Sequence, residues 1–407
     1  MEQLYSTPSA ALNYLRSAMA VRERCRLIYD YAVRGELQHF ILDESKLASV
    51  AERVTGLIRR DYPTLAIPYH SRWRHFGERR TSKLTSALST LSAADRARTK
   101  LDLAIVSVLL DAGAGMQWRY TDLQGEVSSR SEGLARASFD AILRGDFSNS
   151  RQDISVDAER LLGITEEDLT AIFQVTPENP LVGLEGRVSL MRALGAAVNA
   201  QPLFPEKRPG AIYDYVLSKY VEDQELFAAE LLRAVLDLYS PIWPSRLTIN
   251  SENLGDVWRH SAIKTGDLTH ELIPFHKLSQ WLTYSLLEPF IECDLKIVEL
   301  NALTGLPEYR NGGLFLDLGV LRPRDLTALT KSHKVHEEFI VEWRALTVTL
   351  IDQVAPLISS ALGKSPAEFP LACVLEGGTW KAGREVAREL RSDGGPPLVI
   401  ESDGTVF

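Results

Sequence analysis

Apolar residues in this chain recur at intervals of three and four along most of its length, a period that suits helices and little else. The longest series, Val335, Phe339, Trp343, Leu346, Leu350, Val354 and Leu357, predicts one long helix with a kink near Pro356. Leu12, Leu15, Met19, Cys25, Ile28 and Ala32 predict another, stopped by Gly35. Leu47, Val50, Val54, Leu57 and Ile58 predict a third, ended at Tyr62-Pro63. Residues 101–110 read as a buried helix, because apolar positions continue back through Ala97 and Ala94. Residues 131–143, 182–198, 213–220, 226–238 and 277–287 have the same amphipathic spacing; Gly145 closes the first and Pro289 stops the last. Thr165, ahead of Glu166, Glu167 and Asp168, carries a helix-start signal. Strand signals are few, at 296–300 and 398–400. The expected fold is mainly α, an α+β helical enzyme with minor strands.

A chain of 407 residues is expected to form a single catalytic unit, 1–407. Helical subdomains at 1–200 and 209–407, with the active site between them, fit a polar stretch at 199–208 that holds Pro202 and Pro205. The formal net charge of −9 opposes wholesale binding to nucleic acid, since a phosphate backbone would be repelled. The first ten residues lack the cationic-then-apolar pattern of a signal peptide, and the apolar run at 101–110 is too short to span a bilayer. Cys25, Cys293 and Cys373 are far apart and odd in number, which predicts neither a disulfide framework nor a metal site but a reducing, cytoplasmic setting. His333 and His336 are expected on one helix as solvated surface residues, without a third ligand. The expectation is an enzyme for a small polar molecule, with no cofactor, metal, membrane or nucleic-acid partner.

Five stretches are too rich in Gly, Trp, Arg and His to be helix packing alone. Residues 67–76 hold His70, Arg72, Trp73, Arg74 and His75; they suit an anionic or hydroxylated ligand, and an Arg–Trp stack fixing a loop accounts for them equally. Residues 110–120 run from Asp111 through Gly113 and Gly115 to Trp118. Glycines permit close approach to a ligand, but the order is not that of a dinucleotide loop, because this turn follows a helix. Residues 128–133, with Ser129, Ser131 and Glu132, read first as a helix cap and second as an anion seat. The fourth stretch includes Asp256, Trp258, His276, Lys277, Gln280 and Trp281, with Lys277, Gln280 and Trp281 one turn apart on one face. The fifth, 303–317, places Glu308, Tyr309 and Arg310 in an irregular turn beside Gly312 and Gly313 and ends at Asp317. That turn can aim Glu308 into a cleft, and a structural Glu–Arg pair is the lesser alternative. No Gly-x-Ser-x-Gly elbow, His-Glu-x-x-His or Walker loop occurs.

Taken together, residues 72–76, 110–115, 129–134 and 375–380 (Leu-Glu-Gly-Gly-Thr-Trp), with the terminal 402–407, resemble the uracil catabolism protein four family across nearly the whole chain. That resemblance implies a place in a route that degrades uracil through a ribosylated intermediate to urea. A more distant resemblance, to the queuosine-salvage nucleotide N-glycosidases, rests on Phe275-His276-Lys277-Leu278-Ser279-Gln280, on Glu308-Tyr309-Arg310 and on Leu318-Gly319-Val320-Leu321. It implies their helical, DNA-glycosylase-like fold and an N-glycosidase reaction. Glu308 stands where that family has Asp, Leu278 where it has Arg, and Gly115 and Gln117 where it has Phe. Loss of aromatic faces suits a leaving group that is not a large flat base.

The expected reaction is hydrolysis of the N-ribosidic bond of ribosylurea or its 5-phosphate, with urea departing. Glu308 is the expected carboxylate beneath the sugar, with Asp317 as a second candidate and Lys277 as the ammonium that holds an oxygen or tunes the acid. Asp111 is expected to grip ribose hydroxyls and Arg72, Arg74 and Arg310 to meet phosphate. Trp118, Tyr309, His276, Gln280 and Trp258 complete the expected substrate contacts. Phosphoribosyl transfer, from residues 399–405, and a non-catalytic metabolite-binding subunit of the same pathway are the alternatives.

Overall fold

A computed structural model of the chain describes residues 4–111, 113–150, 153–204, 206–244 and 246–401. Helices dominate, and the strands among the described residues are only two or three residues long. Two compact units form, each from separated stretches: Met1–His70, Ser245–Gln280 and Glu299–Ser402 in one, and Ser71–Pro244 and Trp281–Val298 in the other. Residues 199–208 lie inside the second unit. The terminal 402–407, part of the sequence resemblance, fall outside the described residues.

The first unit is built on the Glu338–Ala361 helix, which contains Pro356 and packs against Ala18–Val33, Leu47–Asp61 and Tyr309–Asp317. Its buried face includes Phe339, Trp343, Leu346, Leu350 and Val354, the residues of the apolar series. The helix starts later than the series does, because His333 belongs to the strand Ser332–Lys334. His333 is buried, stacked on Phe339 and bonded to Glu337 and to the Ala328 carbonyl. The expectation of a solvated His333 on a helix is therefore corrected, whereas His336 is exposed. The expected first helix is two, Pro8–Leu15 and Ala18–Val33. Ser17 divides them: its backbone is extended, its Oγ accepts from Ala20 N–H at 3.1 Å and donates to the Tyr14 carbonyl at 2.6 Å.

The second unit surrounds the Ala93–Leu109 helix, which packs on Arg130–Leu143, Leu184–Ala200 and Ile212–Tyr220. Asp102, in its middle, is fully buried; its carboxylate is paired with Arg208 and accepts the N–H of Gly210 at 2.5 Å and of Val156 at 3.2 Å. Thr165 and Asp168 form a reciprocal cap on the Glu166–Phe173 helix, as their order predicts.

Lys277–Ile291 is one helix, along which the chain passes from the first unit to the second between Gln280 and Trp281. It does not stop at Pro289. Proline lacks the N–H that the carbonyl four residues back requires. That carbonyl, Ser285 O, is instead satisfied by Trp73 Nε1 at 3.0 Å.

Candidate active site

In the first unit a fixed carboxylate organises the polar residues. Asp256 precedes the strand Val257–Arg259, which pairs antiparallel with Leu272–Pro274. Its Oδ1 accepts from Arg344 Nη1 at 2.7 Å and Trp258 Nε1 at 2.6 Å. Its Oδ2 accepts from Arg344 Nη2 at 2.8 Å and the backbone N–H of Lys277 at 2.9 Å. Arg344 is fully buried and lies over the Phe275 ring, 4.1 Å from its centroid. Burial opposes the charge on Asp256, but the Arg344 guanidinium and the other donors outweigh it and hold the carboxyl well below the usual carboxylate range. The carboxylate thus meets an N–H at the start of the Lys277–Ile291 helix, where negative charge is favoured.

One turn along, Gln280 is tied to Thr304 in both directions. Its Oε1 accepts Thr304 N–H at 3.0 Å and its Nε2 donates to Thr304 Oγ1 at 2.5 Å. Thr304 opens the loop that ends in Glu308. Glu308 caps the Tyr309–Asp317 helix, its Oε1 accepting Asn311 N–H at 2.6 Å and its Oε2 accepting Arg310 N–H at 2.8 Å. Asn311 steadies the loop by donating from Nδ2 to the Leu306 carbonyl at 3.0 Å. The Gln280–Thr304 clamp therefore binds the first turn of the helix that Lys277 begins to the loop that presents Glu308. Each Glu308 oxygen retains lone-pair capacity beyond its one backbone bond. Glu308 contacts the Arg310 backbone, while the Arg310 guanidinium donates to the Gly394 carbonyl at 2.9 Å.

Other expected site residues lie apart or serve the framework. Asp317 is at the far end of the Glu308-capped helix, about 13 Å along it at 1.5 Å per residue. There it is held by Arg391 through bonds of 2.8 and 2.6 Å and lines a cavity of about 740 Å³ with Lys46, Arg322 and Leu321. His276 is buried and its Nε2 donates to the Leu15 carbonyl at 2.8 Å; burial pushes its pKa down. Trp258 spends its indole donor on Asp256, and Arg246 lies over its ring. Tyr309 is half-buried.

In the second unit, three of the five motif-rich stretches meet. Arg72 is fully buried; its Nε donates to Ser107 Oγ at 2.8 Å and its Nη1 to Ser131 Oγ at 2.9 Å and lies 2.8 Å from Asp111 Oδ2. Ser131 Oγ also lies 2.9 Å from Asp111 Oδ2 and 3.2 Å from His75 Nδ1. Burial pushes the Arg72 pKa down, against the pull of Asp111. Ser131 stands in the first turn of Arg130–Leu143, whose N-cap residue, Ser129, makes no side-chain cap. Trp118 is core: fully buried, donating from Nε1 to the Phe173 carbonyl at 2.8 Å, with Gly133 so close that a methyl group there would strike its ring. Arg74 forms an ion pair with Glu288.

Asp256, Thr304, Ser131 and His75 lie in the candidate stretches but carry no individual role in the sequence reading, and Arg344 lies outside all five stretches. Arg344 had a readable signal, an arginine on the apolar face of a long helix, which demands a buried carboxylate. Among the described residues no group of three or more His, Cys, Asp or Glu side chains is placed to hold a metal ion, and no helix is long and apolar enough to cross a membrane.

Two comparisons bear on the whole chain. Protein urg3 of Schizosaccharomyces pombe is 39% identical over 404 residues, covering 97% of this chain and 98% of its own length. Uracil catabolism protein 4 of Lachancea kluyveri is 37% identical over 436 residues, covering 97% and 99%. The model of the family described as protein of unknown function (DUF1688) matches residues 14–407, so nearly all of this sequence, from the first helix to the C-terminal residue, belongs to the DUF1688 family.

Proposed function

We propose that this chain is a uracil-catabolism enzyme that hydrolyses the N-ribosidic bond of ribosylurea or its 5-phosphate and releases urea. The observation that carries the reading is the Gln280–Thr304 clamp, which ties the turn of Lys277 to the loop of Glu308. The name of the Lachancea kluyveri relative supports the pathway.

Breaking the bond between the anomeric carbon and nitrogen develops positive charge at that carbon. A carboxylate already anchored by two backbone N–H groups meets this charge without reorganising, which is where electrostatic catalysis is strongest. Glu308 has that anchoring. Its remaining lone pairs accept a proton from the attacking water. Lys277 is assigned a sugar or phosphate oxygen. The Arg72 and Arg310 guanidinium groups also donate to partners within their own units.

The reading is tested by urea release from ribosylurea and from its 5-phosphate by the purified chain and its Glu308→Gln variant. Phosphoribosyl transfer and a purely binding role both predict no urea from either protein.

A further inference from the structure

The cavity of about 740 Å³ that Asp317 lines is of a size that suits a small molecule, and the proposed reaction gives it no role. It lies wholly within the first unit, where three features meet. The strands Phe40–Leu42 and Leu321–Pro323 pair antiparallel, with Ile41 opposite Arg322. The Tyr309–Asp317 helix ends in a turn at Gly319, whose φ is +71°. The short turn Leu326–Thr330 packs on the second strand. Much of the wall is apolar: Leu316, Leu321, Pro323, Leu329 and Leu326, the last 61% exposed.

The charged side chains of the wall are unequally satisfied. Arg391 and Asp317 neutralise each other through bonds of 2.8 and 2.6 Å. Glu44 Oε1 accepts the Tyr29 hydroxyl at 2.5 Å. Lys46 and Arg322 are left to share Asp43. Lys46 Nζ stands 4.0 Å from Asp43 Oδ2, too far for a hydrogen bond. Arg322 is exposed and, among the described residues, makes no hydrogen bond or ion pair. Both charges reach Asp43 all the same: the Ser45 hydroxyl and N–H, and then these two cations, pull its carboxyl below the ordinary range. The Lys46 ammonium is folded back over the Gly319 turn, where an added methyl group would come within 2.6 Å of it, so it lies along the cavity wall. Two cations with unspent donors beside one carboxylate leave a local excess of one positive charge next to apolar surface.

We propose that this cavity binds an amphipathic monocarboxylate, an acyl or arylalkyl acid whose carboxylate takes the donors of Arg322 and Lys46 and whose apolar body lies on Leu316, Leu321, Leu326 and Leu329. The guanidinium fork matches a carboxylate in plane and spacing. An ion pair this exposed is worth little by itself, so the ligand needs its apolar body as well as its charge. The site lies about 13 Å along the helix from Glu308 and does not depend on the role of that residue.

The test is calorimetric titration of the purified chain with octanoate, with octanol supplying the apolar body alone and acetate the charge alone. Octanoate should saturate one site with a Kd below about 1 mM, and octanol and acetate should each bind at least about 10-fold more weakly. Leu326→Asp, and Lys46→Gln combined with Arg322→Gln, change only exposed side chains, so both proteins should keep the wild-type unfolding midpoint. Each should weaken octanoate binding by at least about 10-fold. The proposal is overturned by the absence of saturable octanoate binding, by octanol or acetate binding as tightly, or by octanoate binding that survives either variant. Urea release plays no part in the test, so its failure leaves the reading of Glu308 untouched.

Discussion

Trp73 donates its indole N–H to the Ser285 carbonyl at 3.0 Å, and this is the carbonyl that Pro289 leaves without its helical partner. An aromatic side chain from a separate short helix thus keeps the Lys277–Ile291 helix continuous through a proline. Removing the donor leaves a buried carbonyl unsatisfied, which costs about 1–3 kcal/mol. Trp73→Phe is expected to lose stability in that range, plus a smaller packing loss. In a Pro289→Ala background the helix can supply its own N–H, and the same substitution should cost less. Urea unfolding of the four proteins of this double-mutant cycle checks it.

The Arg72–Asp111 pair makes a second stability prediction. Arg72 is wholly removed from water and Asp111 nearly so, with 12% of its side chain exposed. Breaking a buried pair from one side strands the other charge, at about 3–5 kcal/mol. Asp111→Asn, which strands the deeper charge, is expected to cost more than Arg72→Met, which strands a carboxylate that reaches solvent. Unfolding midpoints of the two variants give the order, and the reverse order would show that Arg72 is better served by its serine partners than by the aspartate.

Asp256 should make stability depend on acid. Its folded pKa is depressed below the unfolded value, so its contribution is fully present above the unfolded pKa of about 4 and is lost as pH falls from there toward the folded value. Asp256→Asn is therefore less stable than wild type near neutrality, and the gap between them narrows as the pH drops below about 4. Urea midpoints followed from about pH 7 to about pH 3 measure that gap. A gap that stays constant would mean that Asp256 stabilises through hydrogen bonding alone.

Most helices were legible because their signals are local. Period, caps and terminators sit within a few residues of each other, as at Thr165–Asp168 and Tyr62-Pro63. The errors came where a tertiary partner overrides the local signal: Trp73 rescues the helix at Pro289, and His333 is drawn into the core by Phe339 and Glu337. The strands are too short to show a period of two. At the site, Glu308, Lys277 and Gln280 were readable as chemistry-bearing residues in unusual turns. The acceptor that fixes the start of the Lys277 helix, Asp256, is visible in a candidate stretch but has no readable role there, because it gains its meaning only from Arg344, 88 residues away. Asp317 was ambiguous for a different reason. Only the helical structure of 309–317 separates it from Glu308 and gives it to Arg391.

The account is tested most directly by urea production from ribosylurea and its 5-phosphate, wild type against Glu308→Gln, with folding of the variant verified by its unfolding midpoint. Wild type should release urea from at least one of the two, and the variant should do so roughly 10²–10⁴-fold more slowly. A folded Glu308→Gln protein that releases urea at the wild-type rate would contradict the assignment, and Glu308 would then be a helix cap and nothing more.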